Sequence, residues 1–269
     1  RPPPSRSMAS DRMAHPDDFS AVRSIDDVID ALGAIAAHGR AEGERHGLFA
    51  ALYRRTTLEV RRALRAGAFH DPVWVERLDV VFAHRYLDAF VAFHAGRPTT
   101  AAWRHAFERG REPGHLVLQH LLLGMAAHIL LDLGVATHEA APGTLAARRA
   151  DFMAINAVLA AMLDEVQADV NAVSPAMAWL DRAGGRWDEQ VATAALQRWR
   201  VTAWRRAVRL AHAPPNGRDD QVERIDRSTL RVGRLLCPPP LASRWLARVG
   251  APEERDVATL IDAIAGRST

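Results

Sequence analysis

Apolar residues recur along this chain at three- and four-residue spacing, the period of a helix face, and I/V/T alternation of the strand kind is almost absent. Ile25, Val28, Ile29, Leu32 and Ile35 open the series. They follow Ser24, Asp26 and Asp27, a cap residue with acids in the first turn. A second helix is predicted from about Ala41 to Arg65 on Leu48, Phe49, Leu52, Tyr53, Leu58 and Val60, with Gly67 as its stop. Asp71–Pro72 is a cap followed by proline at the first helical position, and opens a third helix running to about Ala95. Thr99 or Thr100 begins a shorter fourth, with Trp103 and Phe107, ended by Pro113 and Gly114.

The fifth segment, Leu116 to Val135, is apolar on nearly every side. It is long enough to cross a membrane, but Gln119, His120, His128 and Asp132 lie within it, and ionisable groups in a bilayer are expensive. The reading is a central helix buried in a bundle, with no membrane span. Further helices are predicted over about Thr144–Val173, around Trp179, from Trp187 to His212, over Gln221–Leu236, and in the tail around Leu241–Val249 and Glu253–Ala265. The connections are short and no repeat is visible, so the prediction is an all-α fold. It is a multi-helix bundle of about eight to ten helices around residues 115–136. Residues 21–269 form one helical domain behind a disordered tail at 1–20, rich in Pro, Ser and Arg and unlike a signal peptide. A cytoplasmic location follows from that reading.

Composition narrows the chemistry. The chain has no lysine, so neither a Schiff-base lysine nor a phosphate-loop lysine is present. Its formal charge of +3, with arginines scattered among acids, argues against a nucleic-acid partner. Cys237 is the single cysteine, which rules out an internal disulfide and a cysteine-rich zinc site, and it stands beside prolines without a nucleophile motif. The oligomeric state is not indicated.

Two His-x-x-x-Asp pairs carry the candidate chemistry: His84/Asp88 in the third helix and His128/Asp132 in the fifth. Side chains four apart share a helix face and can chelate one ion. His120 lies two turns before His128, with Gly124 between them as room for a ligand or a close packing partner, and His115 lies near the mouth. A carboxylate amid so many leucines must be paired, liganded or facing a wet cavity.

Three readings follow. In the first, a small-molecule enzyme of hydrolase-like type binds zinc or iron through His84, Asp88, His120, His128 and Asp132, with Arg85 steadying an anionic group. In the second, a metal-free isomerase or cyclase uses a histidine as proton carrier, with His120, His128, Asp132, Arg85 and Tyr86 as the catalytic set. In the third, the polar row is a core network of a non-enzymatic binding or scaffold protein, with Asp79, Arg85, Tyr86 and Asp88 in an ion-pair lattice. Asn156 could face the same centre. The Arg198–Arg209 stretch reads as an amphipathic helix with Trp in the core and Arg in solvent, although it could also hold an anion.

Glu76–Asp88 and Gln119–Gly134, with Ile25–Thr57 and the region around Asp151–Trp179, resemble an uncharacterised bacterial family common in actinobacteria, a domain of unknown function. The resemblance spans roughly residues 24–210 and implies an all-α fold, no particular reaction, and a setting in which specialised metabolism is plausible. His120, His128, Asp132, Arg85, Tyr86 and Asp88 match its pattern, whereas His84, Ala126 and Leu130 stand where Asn is usual. The paired His-x-x-x-Asp motifs are also similar in style to all-α zinc phospholipase C and single-strand nuclease sites, without those enzymes' N-terminal Trp ligand.

Overall fold

A computed structural model describes residues 16, 18–141, 145–173, 187–237 and 256–266, and among them there are helices and no strands. In chain order the helices are α1 (Ile25–Glu42), α2 (His46–Arg65), α3 (Pro72–His94), α4 (Ala101–Arg111) and α5 (Val117–Ala126). A π-helical segment (Ala127–Asp132) joins α5 to α6 (Leu133–Ala140). Then come α7 (Arg149–Val173), α8 (Trp187–His212), α9 (Arg218–Leu236) and α10 (Val257–Ile264). The tail predicted for residues 1–20 falls mostly outside the described residues, as do the helices predicted around Trp179 and Leu241–Val249.

Local chemistry fixes the helix ends. Ser24 and Asp27 form a reciprocal capping box at α1, and Asp71 accepts from the Trp74 amide at 2.9 Å to start α3. α1 runs on to Glu42, past Ala41 where the second helix is predicted to start, and turns at Gly43 with φ +67°, so α2 begins only at His46. The two helices then close tightly: a Cβ on Gly39 would stand 2.7 Å from the Gly47 Cα. At α4 the predicted cap Thr100 makes no side-chain bond. Its place is taken from across the fold by buried Asp226 of α9, which accepts from the Ala101 and Ala102 amides at 2.7 and 2.8 Å. Asp151 of α7 likewise takes the His70 and Asp71 amides, both at 2.8 Å.

The run Val117–Ala140 is the central helix, packed by α2, α3, α4, α8 and α9. It alone among the described residues is long and apolar enough to cross a membrane, but 83% of its most apolar window is buried against these neighbours, as befits a core helix. Two apolar clusters meet along it. One is built around Leu32, Leu48, Tyr86, Phe90 and Trp103, the other around Trp74, Leu78, Phe152 and Trp204.

Candidate acid–base centre at the pi segment

The π segment is where the central helix carries its polar pair. The amide of Leu133 donates to the carbonyl of His128, five residues back, so this turn is wider than an α turn. The widened turn leans on α8: the Arg206 guanidinium donates to the Leu130 carbonyl and to Ser228 Oγ, the latter at 3.0 Å. Gly134 lets α8 approach, because a Cβ there would meet the Ala203 carbonyl oxygen at 2.9 Å and the Arg206 Cβ at 3.0 Å.

Asp132 is 1% exposed, and three donors converge on it. Trp103 Nε1 donates to Oδ2 at 2.7 Å, His128 Nδ1 lies 3.2 Å from the same oxygen, and Arg85 Nε donates to Oδ1 at 3.3 Å. Arg85 also reaches Glu139 at 3.3 Å, which links the buried carboxylate to the surface. An ionised carboxylate only accepts, so the His128 proton sits on Nδ1 and the lone pair on Nε2. Burial holds the His128 pKa below the ordinary imidazole value, outweighing the opposite pull of Asp132.

Aromatic rings enclose that imidazole. Phe82 stacks on it at 3.5 Å between centroids, 9° from parallel. Tyr53 stands edge-on at 4.5 Å, and Phe49, Trp103 and Tyr86 complete the enclosure at 5.8, 5.9 and 6.1 Å. Four buried polar atoms in this region have no hydrogen-bond partner among the described residues: His128 Nε2, the Tyr53 and Tyr86 hydroxyls, and Asp79 Oδ2. Burial pushes both phenols up, and Tyr53 is pushed further by the charges of Asp79 and Asp132. Asp79 is raised to about 7, first by burial and then by Glu76.

Of the predicted catalytic set, His128, Asp132, Arg85 and Tyr86 come together and His120 does not. Eight residues along an α-helix carry a side chain about 12 Å along the axis and about 80° around it. His120 instead lies beside His115, at 6.0 Å between rings, with the charges of Arg45 and His46 nearby. His84 and Asp88 also leave the predicted set. Each is two residues from inward-facing Tyr86, about 200° around the helix. His84 Nε2 bonds the Val22 carbonyl at 2.9 Å, and Asp88 is exposed. The predicted ligand set therefore reduces to the His128–Asp132 pair. The space predicted beside Gly124 is filled by Phe49, whose ring carbon would stand 2.5 Å from a Cβ there.

Asn156 bonds Arg200 of α8 and not the centre. Arg200 is buried over the Phe152 ring, so it and Arg206 turn inward from the solvated face predicted for that helix, while Arg198, Arg205 and Arg209 stay exposed. Cys237 Sγ lies 3.3 Å from His115 Nδ1, but burial pushes its thiol up and keeps it protonated, which opposes a nucleophilic role.

The sequence reading missed Tyr53, Phe82 and Trp103, because aromatics at helical spacing read as plain core. Asp79, Phe82 and Tyr86 in fact follow the i, i+3, i+7 pattern of one face, and that pattern is the trace they leave in the sequence.

Searches of curated proteins and of solved structures find no match. The profile of one family, described as a family of unknown function (DUF5995), matches residues 25–239 and so takes in the whole centre from Tyr53 to Asp132. The chain therefore belongs to the DUF5995 family.

Proposed function

We propose that the protein is an acid–base enzyme that moves a proton on a small, largely apolar molecule bearing a carbonyl or hydroxyl group, as an isomerase or cyclase does. The observation that carries this reading is the His128 Nε2 lone pair, buried in an aromatic enclosure with the unpartnered hydroxyls of Tyr53 and Tyr86. A purely structural network satisfies its members, because each buried orphan costs about 1–3 kcal/mol. In this mechanism Asp132 fixes the imidazole tautomer, Trp103 and Arg85 hold the carboxylate, and His128 Nε2 takes the proton. The phenols, kept neutral by their high pKa values, donate to the oxygen on which charge develops. Asp79 is poised near neutrality to return the proton. The widened turn at these residues adds weight, since π turns within α-helices occur often at functional sites. The resemblance to actinobacterial sequences and the lysine-free composition fit a bacterial small-molecule pathway in the cytoplasm.

A test is exchange of carbon-bound hydrogen in D2O over a panel of small cyclic ketones and enones, read by mass spectrometry. Wild type should incorporate deuterium into at least one, and His128→Gln should lower that rate by about 10²–10⁴-fold. Exchange that is equal in the variant, or absent across the panel, would refute the proposal. The second reading, a core network that specifies the fold, is favoured by Phe49 filling the space at Gly124. Under it, His128→Gln loses several kcal/mol of stability and no activity is found.

A further inference from the structure

A second cluster of histidines lies at the end of the bundle where α1 turns into α2 and α3 stops. Glu44 is in the turn, His46 is the first residue of α2, and His94 is the last of α3. One ligand atom from each lies within 4.8 Å of the other two, and no other trio of His, Cys, Asp or Glu among the described residues does this.

The hydrogen bonds of the two rings settle their tautomers. His46 Nε2 meets the Phe107 carbonyl at 2.9 Å, and His94 Nδ1 meets the Phe90 carbonyl at 2.9 Å. A carbonyl only accepts, so each neutral imidazole carries its proton on that nitrogen. The remaining nitrogens, His46 Nδ1 and His94 Nε2, then direct lone pairs at each other across 3.2 Å. That arrangement calls for a cation between them, and the Glu44 carboxylate, 4.0 Å from His46 Nδ1, supplies negative charge on the same side. Outer nitrogens bonded to backbone carbonyls are the usual support of metal-binding histidines. The spacing agrees as well: a tetrahedral ion with bonds of about 2.0–2.1 Å holds two nitrogens about 3.3 Å apart.

The surroundings favour a cation over a shared proton alone. The C-terminal ends of α1 and α3, the negative ends of their dipoles, converge here against the single N-terminus of α2. Arg45 donates to the Glu112 carbonyl at 3.0 Å. His46 is set in place before any ion arrives. Gly110 presses on its ring, where a Cβ would stand 2.5 Å from Cδ2, and the Phe93 and Phe107 rings meet it edge-on at 6.0 and 5.5 Å.

We propose that Glu44 Oε2, His46 Nδ1 and His94 Nε2 form a binding site for one divalent transition-metal ion of the zinc type, with a further coordination position open toward solvent past the partly exposed Glu44. The site shares no residue with the His128 centre and does not depend on the reading given for it.

The test uses the full chain without a histidine tag, stripped with chelator, titrated with ZnCl2 by calorimetry and with Co2+ by visible absorption. One equivalent should bind per chain, with the intense d–d bands of four-coordinate Co2+. His94→Gln should weaken binding by more than about 100-fold, beyond what loss of an outer partner costs, and Glu44→Gln by about 10–100-fold. His84→Gln, whose ring faces Val22, should bind as wild type does. His94 is half-buried, so its variant is checked for native circular dichroism before titration; if it fails to fold, Glu44→Gln, in the surface turn, decides alone. No uptake by the folded wild-type protein, or uptake unchanged in the folded variants, overturns the proposal.

Discussion

Replacing Asp132 by Asn tests the hub of the buried centre, because it keeps shape and removes charge. Oδ2 accepts from Trp103 at 2.7 Å and faces His128 Nδ1 at 3.2 Å, while Oδ1 accepts from Arg85 at 3.3 Å. An amide must put its NH2 group on one side or the other. On the first side it confronts two N–H donors; on the second it confronts a guanidinium. At least one donor-to-donor contact results either way, and the Arg85 charge loses its buried partner.

Losing one member of a buried pair costs about 3–5 kcal/mol. Arg85 is 24% exposed and keeps Glu139, which places the loss near the lower end, about 3 kcal/mol. Urea unfolding followed by tryptophan fluorescence reads it directly, and with a slope of about 3 kcal/mol/M the midpoint should fall by about 1 M. A midpoint shift below about 0.2 M at unchanged slope would mean that Asp132 is not an ionised acceptor.

Other consequences are as direct. Asp79 has a folded pKa raised to about 7 from 3.8, so the stability it contributes is fully present below pH 4 and is lost as pH rises toward and through 7. Asp79→Asn should remove that decline and gain about 2–4 kcal/mol over wild type at pH 8, measured by urea titrations across pH. His128 and His120 are shifted the other way, chiefly by burial. Their contribution is present above about pH 6.5 and is lost as pH falls below it, a trend opposite to that of Asp79. In the Asp79→Asn background thermal midpoints should therefore drop on acidification, and adding His128→Gln should lessen the drop. Arg206→Met deprives the Leu130 carbonyl of its donor and should cost about 1–3 kcal/mol, with hydrogen exchange rising first across residues 127–135. Asp226→Ala leaves the Ala101 and Ala102 amides without their acceptor and should cost about 1–2 kcal/mol by calorimetry.

Much of the fold was open to reading because its helix ends are written in residue chemistry. Ser24 with Asp27, Asp71 with Pro72, and Gly67 at positive φ mark boundaries that need no tertiary context, whereas the turn at Gly43 was read as part of the second helix. The cap of α4 was not open to reading, since Asp226 lies more than a hundred residues away and nothing local announces it. The centre was legible in half. The His128–Asp132 pair is a local motif, and Arg85 and Tyr86 lie where a facing helix can bring them. Its aromatic enclosure gathers Phe49, Tyr53, Phe82 and Trp103 from three helices, and each reads singly as core. The π turn is silent in sequence for a different reason: residues 127–133 are apolar on nearly all sides, so no stripe exists whose phase could slip visibly. The His46–His94 pair escaped because it joins a helix start to a helix end that are 48 residues apart.

The extra width of the turn at Ala127–Asp132 also changes what one helix can serve. A regular helix has a single phase, and its buried stripe points one way along its whole length. Here α5 gives Val117 and Leu121 to the cluster around Trp103, whereas α6 gives Leu133, Ala136 and Ala140 to the cluster around Trp204 and keeps Val135 in the first. The slip acts as a coupling between two gears cut on one shaft, bringing most of the second half's apolar contacts onto the cluster that includes α8 without breaking the rod. His128 and Asp132 sit at that coupling, so the turn that joins the two halves of the core also carries the residues with acid–base character.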